Sequence, residues 1–160
     1  MSDWYRIWRI ATQGPGWRAD DLSGGGAAQD PGRWNSFGVP VVYASTSISL
    51  ACLETLVHIS GDQPLPLVRW LVAIDCPSQH WQERSLLNPD DWGGWNATPP
   101  VNVSMDWGNQ WIAGQQSLLA QVPSVIVPEE SNVLINPVHP SRFDLRVTLQ
   151  RRWSYDHRLR

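Results

Sequence analysis

The chain has 160 residues, 42% of them hydrophobic, which suits one domain with a sizeable buried core and leaves no need to invoke disorder. Its net charge of −3 argues against a protein that wraps nucleic acid, and no apolar run approaches a membrane span. Two cysteines, Cys52 and Cys76, are too few for a disulfide scaffold and lack companions at metal spacing, so buried thiols in a reducing cytoplasm and no metal are expected.

In chain order, loose alternation over 4–10 predicts a first strand, and no secretion signal precedes it. Residues 11–39, with Gly14-Pro15-Gly16, Gly24-Gly25-Gly26 and Asp30-Pro31-Gly32, read as a long loop, a feature that in compact domains is usually functional. A short strand over 41–44 precedes Ser45-Thr46-Ser47, which offers N-caps for a helix over 48–59 ended by Gly61. Its apolar stripe would be Ile48, Cys52, Leu53, Leu56 and Ile59. Residues 67–74, apolar on both faces except at Arg69, predict a central buried strand. The stretch 75–106 reads as loop, 107–116 as a short helix, and 118–127 (broken by Pro123) and 133–135 as strands. Alternation over 143–150 predicts a half-buried antiparallel strand, and 151–160 an Arg-rich solvated tail outside a domain spanning 1–150. The resulting class is α+β, a split, mostly antiparallel sheet with a few short helices.

Two biases bear on chemistry. All 12 basic residues are Arg, a planar fork suited to phosphates and carboxylates, although genome composition yields the same bias. The 11 Trp could stack on sugars or bases, with most expected in the core or facing a partner. Arg33, in Gly32-Arg33-Trp34-Asn35, lies in a loop just before a strand, from which it could grip a phosphate or form an ordinary salt bridge. Tyr43 follows in the strand and Glu54 in the helix, where Glu54 and His58 are i,i+4 partners on the side of Ala51 and Ser47. Glu54 among apolar neighbours suits a partly desolvated carboxylate that stabilises positive charge, and His58 reads as acid–base helper or helix-end partner. Ser124 sits in an apolar strand without a nucleophile elbow, and no Walker loop, dinucleotide fingerprint or zinc motif occurs.

These segments resemble the RES-domain toxins of bacterial RES–Xre toxin–antitoxin pairs. The matching residues are Trp8-Arg9-Ile10, Leu22-Ser23-Gly24 with Ala27-Ala28, Gly32-Arg33-Trp34-Asn35, the run from Gly38 to Ser45, Ser49-Leu50-Ala51 through Glu54, Val57-His58, Val122-Pro123-Ser124 and the segment 132–140. Pro31 departs from the second Gly common before the Arg, and 76–106 matches little. The resemblance implies an ADP-ribosyltransferase-like fold, two small sheets framing a cleft for NAD, which is substrate and not cofactor. It implies that Arg33 and Arg9 hold phosphates or ribose and that Tyr43 packs on nicotinamide. Glu54 would steady the ribosyl cation, and Ser124 would bond nicotinamide or steady the cleft. Trp34 and Asn35 are further substrate-binding candidates, with His58, Asn132 and His139 behind them. Water, phosphate or a protein side chain could be the acceptor, with NAD depletion favoured. A cognate Xre-type helix-turn-helix antitoxin is implied as partner; it, and not this chain, would contact DNA, and self-association is left open. The rival readings are a non-enzymatic nucleotide- or sugar-binding module and a ribonuclease toxin.

Overall fold

The structure is a computed structural model that describes residues 3–59, 63–66 and 68–159. The helix end expected at Gly61 and the strand start expected at Leu67 lie outside the described residues. Among the described residues seven strands form one sheet in the order β4-β5-β6-β2-β1-β3-β7, all neighbours antiparallel except β4 with β5. Strand β1 (Trp4–Thr12) outlasts the alternation that predicts it and pairs along its whole length with β3 (Arg69–Pro77). Leu71, Val72, Ala73 and Ile74 are buried on both faces, because β3 lies between β1 and β7 with apolar layers above and below. Strand β7 (Arg146–Trp153) is the edge, and its exposed Arg146, Arg151 and Arg152 suit a strand that must not pair further.

The other half of the sheet runs β4 (Ser85–Leu86), β5 (Leu119–Pro123), β6 (Ser131–Ile135) and β2 (Val42–Ser45). The two halves meet at one registered pair, Trp8 with Ser45, whereas β1 and β3 are paired from end to end. The expected division into two sheets thus takes the form of a seam within one sheet. Helix α2 (Ile48–Leu56) begins at Ser47, whose hydroxyl accepts from the Leu50 amide. It packs Ala51 and Cys52 against Ile10 and Leu71. Its buried face is Leu50, Ala51 and Cys52; Leu53 is exposed, so the stripe expected at Leu53 is corrected by one helical step.

Several loop readings gain structure. Helix α1 (Gly25–Gln29) interrupts the long N-terminal loop, and α3 (Ser78–Gln82), β4 and a 3-10 turn (Pro89–Asp91) punctuate 75–106. Helix α4 (Asn102–Gly114) starts five residues before the expected point. Within it, Gly108 lies against the Trp34 backbone, and a Cβ there would collide with the Trp34 carbonyl. Around this crossing Trp34, Trp95, Trp107 and Trp111 form an aromatic core, with Trp34 edge-on to Trp107 at 5.7 Å. Arginines cover other rings: Arg84 stands 4.1 Å from the centroid of Trp81, and Arg146 4.0 Å from Trp4. The segment after 150 differs from a solvated tail. Residues 151–153 continue β7, Trp153 and Tyr155 pack beside α2, and the Tyr155 hydroxyl lies 2.7 Å from Thr55 Oγ1. Both cysteines are buried and free, and burial pushes the Cys76 thiol up to about 12. Among the described residues no helix is long and apolar enough to cross a membrane.

Candidate functional site: a cleft at the sheet seam

Where β1 and β2 part, a cavity of about 550 Å³ opens, within the range of small-molecule sites. Strand β1 lines it with Trp8 and Arg9, β2 with Tyr43, Ala44 and Ser45, α2 with Ala51, Glu54 and Thr55, and the turn after α2 with His58. Asp30, Pro31 and Gly32 from the N-terminal loop, Arg69 from β3 and Asn132 from β6 complete the wall. Among the described residues no group of three or more His, Cys, Asp or Glu could hold a metal ion.

Glu54 is the most fully anchored acid in the cleft. Its Oε1 accepts from Ser124 Oγ at 2.8 Å and from Asn132 Nδ2 at 2.7 Å. Both donors are held in turn. Ser124 Oγ accepts from the Ile126 and Val127 amides at 3.1 Å, and Asn132 Oδ1 accepts from Ser45 Oγ at 2.7 Å. Ser124 is wholly buried behind Glu54 and its hydroxyl is fully used, so it positions the carboxylate and does not reach the cleft. No hydrogen bond to Oε2 is formed among the described residues. The carboxylate is therefore fixed by one oxygen and free at the other.

Tyr43 presents its ring to the cavity, but its hydroxyl works for the loop. It accepts from the Trp34 amide at 3.0 Å and donates to Asn35 Oδ1 at 2.5 Å. Burial, the dominant cause, raises its pKa, so the phenol stays neutral. Gly32 lies directly against this ring, where a Cβ would come within 2.8 Å of it. Asn35 is wholly buried: its Oδ1 also accepts from the Gly32 amide at 2.9 Å, and its Nδ2 donates to the Ala27 and Val39 carbonyls at 2.8 and 3.0 Å. Every capacity of that amide is spent on pinning the loop, so Asn35 is a staple and not a substrate contact. Trp34, 3% exposed within the aromatic core, is likewise withdrawn from any ligand.

Arg33 stands next to the cleft and not in its lining. Its Nη1 donates to the Trp95 and Ala97 carbonyls at 3.0 and 2.7 Å, which ties the Trp-rich loop to the glycine-rich one. Burial lowers its pKa, and attraction from Glu54 opposes the shift, so the two charges do sense each other. Arg9, unlike Arg33, lies in the cavity wall. Its Nη1 donates to the Tyr43 carbonyl at 2.9 Å, while its Nε is buried with no partner among the described residues. His58 lines the cavity from the exposed turn after α2, because the helix ends at Leu56 and not at the expected residue 59. His139 lies elsewhere: its Nδ1 accepts from the Ser141 amide at 3.0 Å and caps the 3-10 turn Pro140–Asp144, outside the cavity lining.

The seam thus gathers Arg9, Tyr43, Glu54, His58 and Asn132, keeps Arg33 and Ser124 just behind them, and leaves out Trp34, Asn35 and His139. Sequence reasoning missed Trp8, Asp30 and Arg69 as wall residues. A lone Arg in an otherwise apolar strand was the available signal for Arg69.

An α+β domain with an open antiparallel sheet and one mixed-polarity cleft at its seam has clear relatives. Residues 6–157 match the RES domain family, and the chain belongs to that family. It is 47% identical over 154 residues to the Prs ADP-ribosylating toxin of Sphingobium sp. (strain YBL2), covering 96% of this chain and 95% of the relative. It is 40% identical over 124 residues to Toxin Res of Yersinia enterocolitica serotype O:8 / biotype 1B, covering 77% and 79% of the two chains. The fold matches that in the crystal structure of the M. tuberculosis MbcT–MbcA toxin–antitoxin complex, with a TM-score of 0.58 at 18% identity over 91% of this chain and 81% of that one. The chain is a RES-domain toxin.

Proposed function

We propose that this toxin is an enzyme that breaks the nicotinamide–ribose bond of NAD. The observation that carries the reading is the Glu54 carboxylate, fixed through Oε1 by Ser124 and Asn132 inside a cavity it shares with Arg9 and the Tyr43 ring. In this reaction the C–N bond breaks, its electron pair goes to the pyridinium nitrogen, and neutral nicotinamide leaves an oxocarbenium-like ribosyl centre. Such a centre needs a preorganised negative group more than a proton donor. Glu54 supplies it through its second oxygen, Tyr43 offers a flat wall to the ring, and Arg9 meets the negatively charged part of the dinucleotide. An incoming O–H or N–H group then adds to the ribosyl carbon and gives up its proton, with His58 at the cavity mouth able to take it.

The acceptor is where the relatives speak. The 47% identity to a toxin named for ADP-ribosylating Prs favours transfer to a protein side chain, with NAD loss to water or phosphate as the competing course of the same first step. A cognate antitoxin of the Xre type that covers the cleft belongs to the same proposal, supported by the fold likeness to a toxin held in a toxin–antitoxin complex. The test is to incubate purified protein with NAD, with and without phosphate and with and without Prs, and to follow free nicotinamide and the mass of Prs. Nicotinamide release is expected in every productive mixture, together with a mass gain of one ADP-ribosyl group on Prs. Absence of nicotinamide under all conditions would leave the non-enzymatic binding module as the better account.

A further inference from the structure

We propose that Arg69 is a second anion-binding residue of the cleft, which with Arg9 seats the diphosphate of the dinucleotide; this rests on the NAD reading above. Arg69 opens β3 opposite Thr12 of β1, and it lines the same cavity as Arg9. Its Nε is buried without a hydrogen-bond partner among the described residues, and so is the Nε of Arg9. A buried N–H left unpaired is costly, and each of these arginines carries one while lining the cavity. The electrostatics agree. Burial is the main cause that lowers the Arg9 pKa; Asp21 opposes it, and the Arg69 charge lowers it by less than Asp21 raises it. Two like charges therefore line one cavity, and an anion bound there would be attracted by both. No carboxylate among the described residues forms an ion pair with Arg69. The acids of the lining, Glu54 and Asp30, are not bonded to either Arg.

The pair also resolves a difficulty with Arg33, whose Nη1 is engaged by two backbone carbonyls and which is absent from the lining. Oxyanions match the planar donor fork of Arg, and a diphosphate can occupy two forks at once. Inorganic phosphate offers the same oxygens, so the two sources must be separated by measurement.

Titration calorimetry on the full chain with ADP-ribose, which carries the diphosphate but cannot react, reads the site directly. Arg69→Ala and Arg69→Gln are each expected to weaken ADP-ribose binding about 10- to 100-fold, the span of a charged hydrogen bond. A thermal melt by circular dichroism of each variant, expected to stay cooperative as in wild type, guards against general damage to the fold. Unchanged ADP-ribose affinity in either folded variant overturns the assignment. Loss of inorganic phosphate binding with ADP-ribose unaffected also overturns it, because the seat would then serve a free phosphate. Wild-type protein that binds ADP-ribose through Arg69 yet releases no nicotinamide would uphold the seat and refute the cleavage reading. Nicotinamide release with no dependence on Arg69 would do the reverse.

Discussion

Replacing Glu54 by Gln separates charge from shape. Oε1 of Glu54 accepts two hydrogen bonds, from Ser124 and Asn132, and a Gln amide oxygen can accept both. Each bond weakens from a charged to a neutral one, a loss of about 1 kcal/mol apiece, while the cost of holding a charge away from water disappears. The net change in stability should be about 1 kcal/mol or less, a shift of about 2–4 °C in a domain of this size. The catalytic cost is much larger. A carboxylate about 4 Å from a ribosyl cation is worth about 4 kcal/mol at the effective dielectric of a protein site, roughly three powers of ten in rate. Nicotinamide release under saturating NAD, followed by chromatography beside a thermal melt by circular dichroism, reads both quantities. A Glu54→Gln protein that melts with wild type and cleaves NAD within tenfold of its rate would refute charge stabilisation by this carboxylate.

Three other outcomes follow from the contacts described. Asn35→Ala removes the staple beneath Tyr43 and leaves buried loop groups unpaired, so thermal denaturation should show a loss of about 3 kcal/mol or more; a loss below about 1 kcal/mol would contradict the staple. Arg33→Ala strips a charged donor from the Trp95 and Ala97 carbonyls, and should cost about 2 kcal/mol and speed amide hydrogen exchange in the loop at 92–98; unaltered exchange there would argue against the tether. Burial, then the neighbouring His80, lowers the His139 pKa against a smaller pull from Asp144. The unfolded chain therefore takes up this proton first, and stability should fall as pH drops below about 6.5 toward the folded value. A melt series from pH 7.5 to 5.5 should show a shallower slope in His139→Asn, and identical slopes would exclude His139 as a contributor.

Most strands were legible because their sequences alternate, as in β7, or run apolar, as in β3, whereas the two-residue β4 carried no such signal. The long loop was legible as unusual, yet its internal logic was not. Asn35 looks the same in sequence whether its amide meets a substrate or four pieces of its own backbone, and only the path of the loop decides that. Gly108 misled in the opposite sense. A mid-helix Gly reads as a weak point, whereas here it admits the Trp34 backbone, a contact across 74 positions that no local pattern encodes. Glu54 stood out through its apolar neighbours, but its support by Ser124 and Asn132 depends on the β5–β6 turn coming to rest behind α2. Arg69 carried a visible anomaly, a charge in a run otherwise fit for burial. Its meaning needed the register with β1, which sets it beside the open seam.

That seam explains why one sheet can hold both a rigid core and a cleft. β1 is paired to β3 along its length, so it cannot bend away from that side, and β2 is pinned to β6 by four consecutive pairs. Between these two firm ladders the only registered contact among the described residues is Trp8 with Ser45. Sheet twist then carries β1 and β2 apart beyond that point, and the gap cannot close without breaking one ladder or the other. Arg9 bridges the opening by giving its guanidinium to the Tyr43 carbonyl, a side-chain bond where the backbone ladder has stopped. The cleft is therefore held open by the strands themselves, and the groups that line it need only be placed, not moved, to meet a ligand.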